Sequence, residues 1–401
     1  CTAIWFKAFL ITVFLTLLSG NTSVHILERE RMQKILFLIP NLAHGGAERV
    51  LVNLANNLNR SKYDVTIQTL FDVGVNKQYL QSHVHYIPGA KKQFRGNTAF
   101  MKIFSPEQLY RYIVKEDYDI LISYLEGPTS RILAGCHDAG VKKAAWIHIE
   151  LPTPKQAAIG FRTPKEALRL YDTYDRLVAV AASVRQVFVD ALPVHTPIDV
   201  LYNTNETEKI AALAKQEPND PMFSSGGIRV CSVAKLMPTK GYDRILNVHK
   251  RLLDEGLLHS IYIIGIGEEQ KNLEAQVARL GVEKSFHMIG FRDNPYQYVS
   301  RCDLYVCSSR REGFSTAVTE ALIVGTPVVS TDCSGAHELL GDHDEYGLVV
   351  ENSEEGIYQG MKRMLSDPDL LAHYKQQAAL RGKRFSREQT VQAVERMLDS
   401  L

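Results

Sequence analysis

Net charge is nearly absent: 46 Lys and Arg stand against 45 Asp and Glu, a formal +1 at pH 7, so no global field selects nucleic acid. Metal-type cysteine spacing is absent too. The six cysteines (Cys1, Cys136, Cys231, Cys302, Cys307, Cys333) form no C-x-x-C pair and have no histidine at zinc-finger spacing. Several sit in apolar runs such as "LYVCSS", which suits reduced, buried thiols. No internal repeat or low-complexity tract occurs. "IIGIGEEQ" lacks a third glycine after Gly265 and Gly267, which argues against a nicotinamide-dependent oxidoreductase. What remains is an ordinary globular composition, 45% apolar and 23% charged, and a length that suits two domains of roughly 170–200 residues better than one core.

The first twenty residues, "CTAIWFKAFLITVFLTLLSG", are largely apolar, carry Lys7 and begin with Cys1 rather than Met. Two readings stay open. One is a signal peptide or membrane anchor, since the length approaches a bilayer span. The other is translation from Met32, where "MQKILFLIP" enters a strand directly. "ERER" before Met32 favours the second, because Glu and Arg can be written wholly in purine codons, as a bacterial ribosome-binding site would be. Residues 1–31 are expected to lie outside the fold.

From Met32 onward, short β-branched runs alternate with longer helical patterns. "KILFLI", "DVTIQTL", "HVHYI", "DILISY", "AAWIHI", "RLVAVAA" and "IDVLYN" form a first series. "IRVCSVA", "SIYIIGI", "SFHMIG", "LYVCSS", "PVVSTD" and "GLVV" form a second. The runs are apolar on both faces, as in parallel strands covered by helices. This predicts an α/β protein of two doubly wound, Rossmann-like parallel-sheet domains, with a cleft between the carboxyl edges of their strands. The expected boundaries are 32–205 for the first domain, 206–227 for a hinge and linker, 228–375 for the second domain and 376–401 for a helical tail with no strand to pair.

"REGFSTAVTE" holds two acids eight positions apart, Glu312 and Glu320. A helix is expected to start near Ser315–Thr316 and to end at Gly325, before Pro327. Gly313 allows close backbone approach, and free N–H groups at the helix start favour an anion. The bland alternative is a solvated acid on an amphipathic helix with a dipole-stabilising acid before it. "AKLMPTKG" places Lys235 and Lys240 five residues apart after the first strand of the second series, where two ammonium groups can neutralise a departing diphosphate. Gly45 and Gly46 open a helix after the first strand and suggest a phosphate or sugar contact. His148 and Glu126 follow strand ends on the same expected rim. Asp342-His343-Asp344 and Asp117-Tyr118-Asp119 match D-x-D, but so short a motif recurs by chance, and no metal site is assigned to either.

Together "GGAER", "AKLMPTKG", "IIGIGEE", "MIGFRDN", "EGFSTAVTEAL" and "SGAHELL…YGLVV" resemble the retaining GT-B glycosyltransferases of family 4, of the bacterial capsular, exopolysaccharide or lipopolysaccharide type. The resemblance covers essentially Met32 to Leu401, and "EGFSTAVTEAL" fits the family's E-x7-E motif. It implies that Glu320 accepts hydrogen bonds from the donor ribose and that Glu312 contacts the donor sugar. Gly313, Phe314, Ser315 and Thr316 would hold sugar and diphosphate at the helix start. Lys240 would pair with the diphosphate, joined by Lys235, which stands where many members carry arginine. Ile289, Gly290 and Phe291 would line the base pocket, His148 would lie near the reacting sugar, and Glu126 would face the acceptor. "LYNTNET" lacks the Asn-Gly that often marks the family's hinge. The last helix is expected to cross back onto the first domain.

The implied activity is transfer of a sugar from a nucleotide sugar, a UDP-sugar by family habit, to a glycan or lipid-diphosphate-linked saccharide. No metal and no other cofactor is expected. Rival readings are a nucleotide-sugar epimerase or phosphorylase on the same fold, and a non-catalytic partner that binds sugar nucleotides. The stretch Lys91–Lys115 has six basic residues and one acid among Phe94, Phe100, Met101 and Phe104, which reads either as an anionic-membrane contact or as a solvated loop and helix face. The expected location is the cytoplasm, with or without peripheral contact to the inner face of the cytoplasmic membrane.

Overall fold

Strand-forming runs in this chain become strands wherever the structure, a computed structural model, describes them; it covers residues 31–43, 45–223 and 227–401. The expectations for residues 1–30 lie outside the described residues. In the first half the strands are β1 (Gln33–Ile39), β2 (Tyr63–Thr69), β3 (His85–Ile87), β4 (Ile120–Ser123), β5 (Lys142–Ile147), β6 (Arg176–Ala179) and β7 (Ile198–Val200). They form one sheet in the order β3-β2-β1-β4-β5-β6-β7. In the second half β8 (Ile228–Val233), β9 (His259–Ile264), β10 (Phe286–Gly290), β11 (Leu304–Cys307), β12 (Val328–Thr331) and β13 (Leu348–Val350) form a sheet ordered β10-β9-β8-β11-β12-β13. Every pairing in both sheets is parallel.

Parallel pairing requires crossovers, and the crossover helices cover both faces of each sheet. That is why Ile35 to Ile39 and Val328–Val329 are wholly buried although their side chains alternate in direction. In each sheet the winding reverses beside the first strand, between β1 and β4 and again between β8 and β11. The loops leaving those strands diverge and open a crevice at the carboxyl edge. Gly45 and Glu126 follow β1 and β4; Lys235 and Glu312 follow β8 and β11. Topology alone therefore brings the sequence motifs to two opposed switch points.

The two sheets belong to one compact unit, Gln33–Leu401. The loop after β11 meets the end of β5: a Cβ on Gly313 would lie 1.8 Å from the His148 carbonyl oxygen, so only glycine fits that approach. Glu338, from the second half, accepts bonds from the Ala182 and Ser183 N–H groups at 2.9 and 3.1 Å and from Ser183 Oγ at 3.2 Å. It thereby caps the helix Ala182–Ala191 of the first half. Ser334 Oγ bonds Glu150, and Tyr202 stacks on Phe314 at 5.0 Å.

The 206–227 stretch is not only a linker. It holds the helix Thr207–Ala214, which buries Ile210. "TEKIAALA" is rich in good helix formers, and the second half satisfies the helix's end carbonyls: Asn294 Nδ2 donates to Leu213 O at 3.0 Å and Arg301 Nη1 to Ala214 O at 2.9 Å. The charged tail is broken at Lys383–Phe385, between the helices Pro368–Gly382 and Arg387–Asp399. The last helix lies against the first half, where Asn59 N donates to Glu395 at 2.7 Å and Tyr63 OH to Asp399 at 2.5 Å.

Candidate active site in the cleft between the sheets

Helix starts from both halves converge on a cleft of about 430 Å³. The helix Thr316–Ile323 begins at Ser315, whose hydroxyl accepts the Val318 N–H at 3.4 Å. Across from it begins the helix Gly46–Asn57; a Cβ on Gly46 would lie 3.1 Å from Thr316 Oγ1. Two sets of unsatisfied N–H groups and two positive dipole ends thus share one space, an arrangement suited to a diphosphate.

Lys240 Nζ donates to Glu312 Oε1 at 2.6 Å, and Ser309 Oγ donates to the same oxygen at 2.6 Å. The two side chains are 24% and 13% exposed. Burial opposes the Lys240 charge, but Glu312 more than offsets it and leaves the ammonium pKa raised. Lys240 sits in the turn Pro238–Lys240, which Gly241 ends in the left-handed region with φ 68°. Lys235 lines the same cleft.

Glu320 also lines the cleft, on the second turn of its helix. Burial pushes its carboxyl up to about 7, against the Tyr296 hydroxyl, which donates to Glu320 Oε1 at 3.0 Å, and the nearby Arg49. His148, just past the end of β5, is buried and held neutral, its pKa lowered to about 3 by desolvation. Its ring lies 4.8 Å from Tyr124, and its Nε2 has no hydrogen-bond partner, so a polar atom on the cleft wall is left for a ligand. Glu126 accepts the His148 N–H at 3.0 Å. Burial raises the Glu126 carboxyl, and that bond opposes the shift.

Most residues singled out in the sequence meet here: Gly45, Gly46, Glu126, His148, Lys235, Lys240, Glu312, Gly313, Phe314, Ser315, Thr316 and Glu320 all line the cleft. Ile289, Gly290 and Phe291 do not. Ile289 is buried in the core and Phe291 is about half exposed, because β10 is an edge strand, two strands from the switch point beside β8. The D-x-D stretches also lie elsewhere. Asp119 accepts the Lys34 N–H at 2.8 Å on the amino edge of the first sheet, and Asp344 accepts the Val349 N–H at 2.9 Å.

Sequence reasoning missed Glu48 and Arg49. The Glu48 carboxylate folds back over Gly45, where a Cβ would lie 1.8 Å from its Oε2. Burial raises its pKa, opposed by its own N–H and by Lys235. Arg49 lies 3.8 Å over the Tyr79 ring, in a side crevice that it shares with Glu320 and Tyr296. An acid in the first turn of a helix was the available signal for Glu48. Nothing local marks Tyr296 or Ser309.

Two Rossmann-like parallel-sheet domains facing a shared cleft make this the GT-B architecture. A solved structure of Anabaena Alr3699/HepE in complex with UDP overlays with TM-score 0.73 and 22% identity, covering 92% of this chain and all of that one. The family model "Glycosyltransferase Family 4" matches residues 44–209 and "Glycosyl transferases group 1" matches 215–381. The chain belongs to the family 4 glycosyltransferases of GT-B fold. Among curated relatives, a Campylobacter jejuni N-acetylgalactosamine-N,N'-diacetylbacillosaminyl-diphospho-undecaprenol 4-alpha-N-acetylgalactosaminyltransferase is 26% identical over 89% of this chain and 96% of that protein. An uncharacterized Haemophilus influenzae glycosyltransferase is also 26% identical, over 90% of this chain and 98% of that protein. No helix among the described residues is long and apolar enough to cross a membrane.

Proposed function

We propose that this glycosyltransferase moves a sugar from a UDP-sugar to a saccharide carried on a lipid diphosphate, in bacterial surface-glycan assembly, with retention of anomeric configuration and without a metal ion. The observation that carries the reading is the pair of opposed helix starts beside Lys240–Glu312, a ready-made seat for a nucleotide diphosphate. UDP in the Anabaena complex and a diphospho-undecaprenol acceptor in the name of the Campylobacter relative support the choice of donor and acceptor.

In this mechanism Glu320 takes the ribose hydroxyls, and the N–H groups of Gly313 to Thr316 take the diphosphate. As the glycosyl–phosphate bond loosens towards an oxocarbenium-like state, charge grows on the leaving oxygen. Lys240, Lys235 and the two helix starts supply the compensating charge that a metal ion supplies elsewhere. Glu312 holds Lys240 in place and contacts the donor sugar. His148 offers its unpartnered Nε2 to a sugar hydroxyl, and Glu126 fixes the His148 backbone. The acceptor hydroxyl enters on the leaving-group face and gives its proton to a phosphate oxygen.

The test is a thermal-shift screen across UDP-, GDP-, ADP- and TDP-sugars, followed by transfer to polyprenyl-diphosphate saccharides with excess EDTA present. The expected outcome is stabilisation by a UDP-sugar and EDTA-insensitive transfer of an α-donor to an α-product. A β-product by NMR would sink retention, and activity lost to EDTA would sink metal independence.

A further inference from the structure

A second cavity is larger than the cleft. A pocket of about 740 Å³ opens on the first half, within the roughly 300–1,000 Å³ range of small-molecule sites. Its floor is the carboxyl end of β2 with Leu70 and Phe71; its wall is the helix pair Asn97–Met101 and Pro106–Ile113. Phe94, Phe100 and Phe104 form an edge-to-face ladder along it, with centroids 6.0 and 5.5 Å apart. Phe100 is 51% exposed, Ile103 70% and Tyr112 79%. So much apolar surface left open on a soluble face marks a contact site.

The loop that displays it is held firmly. Arg162 donates to the carbonyls of Lys102, Ile103 and Phe104 at 2.6, 3.0 and 2.9 Å. Arg131, wholly buried and paired with Glu166 at 3.1 Å, donates to Met101 O and Phe104 O at 3.2 and 2.8 Å. Two arginines thus fix the backbone of a segment that packs Met101 on the core, sets Phe104 against Phe100 and leaves Ile103 exposed. The charge of the stretch 91–115 is mostly positive: Lys91, Lys92, Arg95, Arg111 and Lys115 are exposed against Glu107, with Asp72 beside Lys91 as a further acid at the rim. The pocket lies on the same carboxyl edge of the first sheet as the cleft, although no residue lines both. β2 is the parallel neighbour of β1, about 4.8 Å away, and Asn41, in the loop that leads to Gly45, donates to Gln93 at 3.3 Å.

We infer that this pocket takes the first isoprene units of the acceptor's prenyl chain, with the basic rim meeting its diphosphate. The inference rests on the lipid-diphosphate acceptor proposed above and adds a site for the lipid itself. A flexible, branched hydrocarbon suits a long aromatic-lined pocket, and an anionic headgroup suits the lysines and arginines beside it. Chain binding on the same sheet edge as the cleft would orient the saccharide towards His148.

The experiment is titration calorimetry of the full chain, without detergent, against farnesyl diphosphate, inorganic diphosphate and phosphatidylglycerol vesicles. Farnesyl diphosphate is expected to bind at least about tenfold more tightly than inorganic diphosphate. The double variant F100S/Y112S changes two exposed side chains, so folding is preserved; it is expected to lose that preference and keep its nucleotide-sugar affinity. Equal affinity for the two diphosphates, or a preference untouched in the double variant, overturns the inference. Binding to vesicles alone overturns it too, in favour of a general membrane face. A lipid-diphosphate preference lost in the double variant, with no transfer to any polyprenyl-diphosphate saccharide, keeps the pocket and removes the proposed acceptor instead.

Discussion

Lys240 and Glu312 are 72 positions apart, yet they form the tightest charged contact in the cleft. Their pairing adds a task that the sequence did not show for Glu312, which holds a cation in place, while Glu320 lines the cleft one helix turn further on. Lys240→Ala is expected to lower kcat by about 10²-fold, the scale of removing one donor from a charge-stabilising site, with donor affinity little changed. Glu320→Ala is expected to raise the donor dissociation constant by about tenfold, near 1.4 kcal/mol, with a smaller effect on kcat. Single-turnover and equilibrium titration data distinguish the two. Because burial holds the Glu320 carboxyl near 7, donor affinity should rise as pH increases through about 7 and Glu320 becomes a full acceptor. Glu320→Gln should flatten that profile.

At the scale of elements, the cleft's geometry depends on helix starts capped from the other half. Glu338 satisfies the first N–H groups of the helix Ala182–Ala191, Ser183 Oγ donates to it, and the Tyr202 hydroxyl donates to it at 3.3 Å. Removing it uncaps one helix and releases one contact between the halves. Glu338→Ala is expected to cost about 1–2 kcal/mol in urea unfolding. It should also raise the radius of gyration in small-angle scattering, since the cleft is freer to open; an unchanged radius with lowered stability would limit Glu338 to a local cap. The helix Thr207–Ala214 shows how propensity and context compete. Its alanines favour a helix, while its polar flanks read as linker; packing of Ile210 and capping by Asn294 and Arg301 decide the matter.

For the whole molecule, buried histidines couple stability to pH. His249 is wholly buried, bonded through its ring to His259 and Ser285 at 2.9 Å each. Desolvation, joined by the neighbouring His259 and His287, lowers its pKa to about 3. The unfolded chain protonates histidine near 6.5, so the stabilising contribution is complete above about 6.5 and is lost as pH falls towards 3. Glu320 has the opposite sign: its folded pKa is raised, so its contribution is full below about 4.3 and fades as pH rises through about 7. The comparison of wild type with His249→Asn isolates the first effect. Between pH 6 and 4 the wild type should lose about 1.4 kcal/mol more per pH unit than the variant.

The sequence by itself determined the two parallel sheets, since β-branched runs flanked by helical stretches act locally and dictate buried strands with crossovers. It also determined where the ligand-facing motifs fall, because the loops after β1, β4, β8 and β11 inherit their places from strand order. It could not supply the partners across the cleft. Lys240 with Glu312, Gly313 against the His148 carbonyl and Glu338 on the Ala182–Ala191 helix all join residues that only closure of two separately wound sheets brings together. Ile289–Phe291 show the same division: they end a strand on the expected side, but strand order sets β10 at the sheet's edge, two strands from the switch point. The second pocket was legible only as composition; its walls come from β2 and two helices that long-range arginine bonds fix in space.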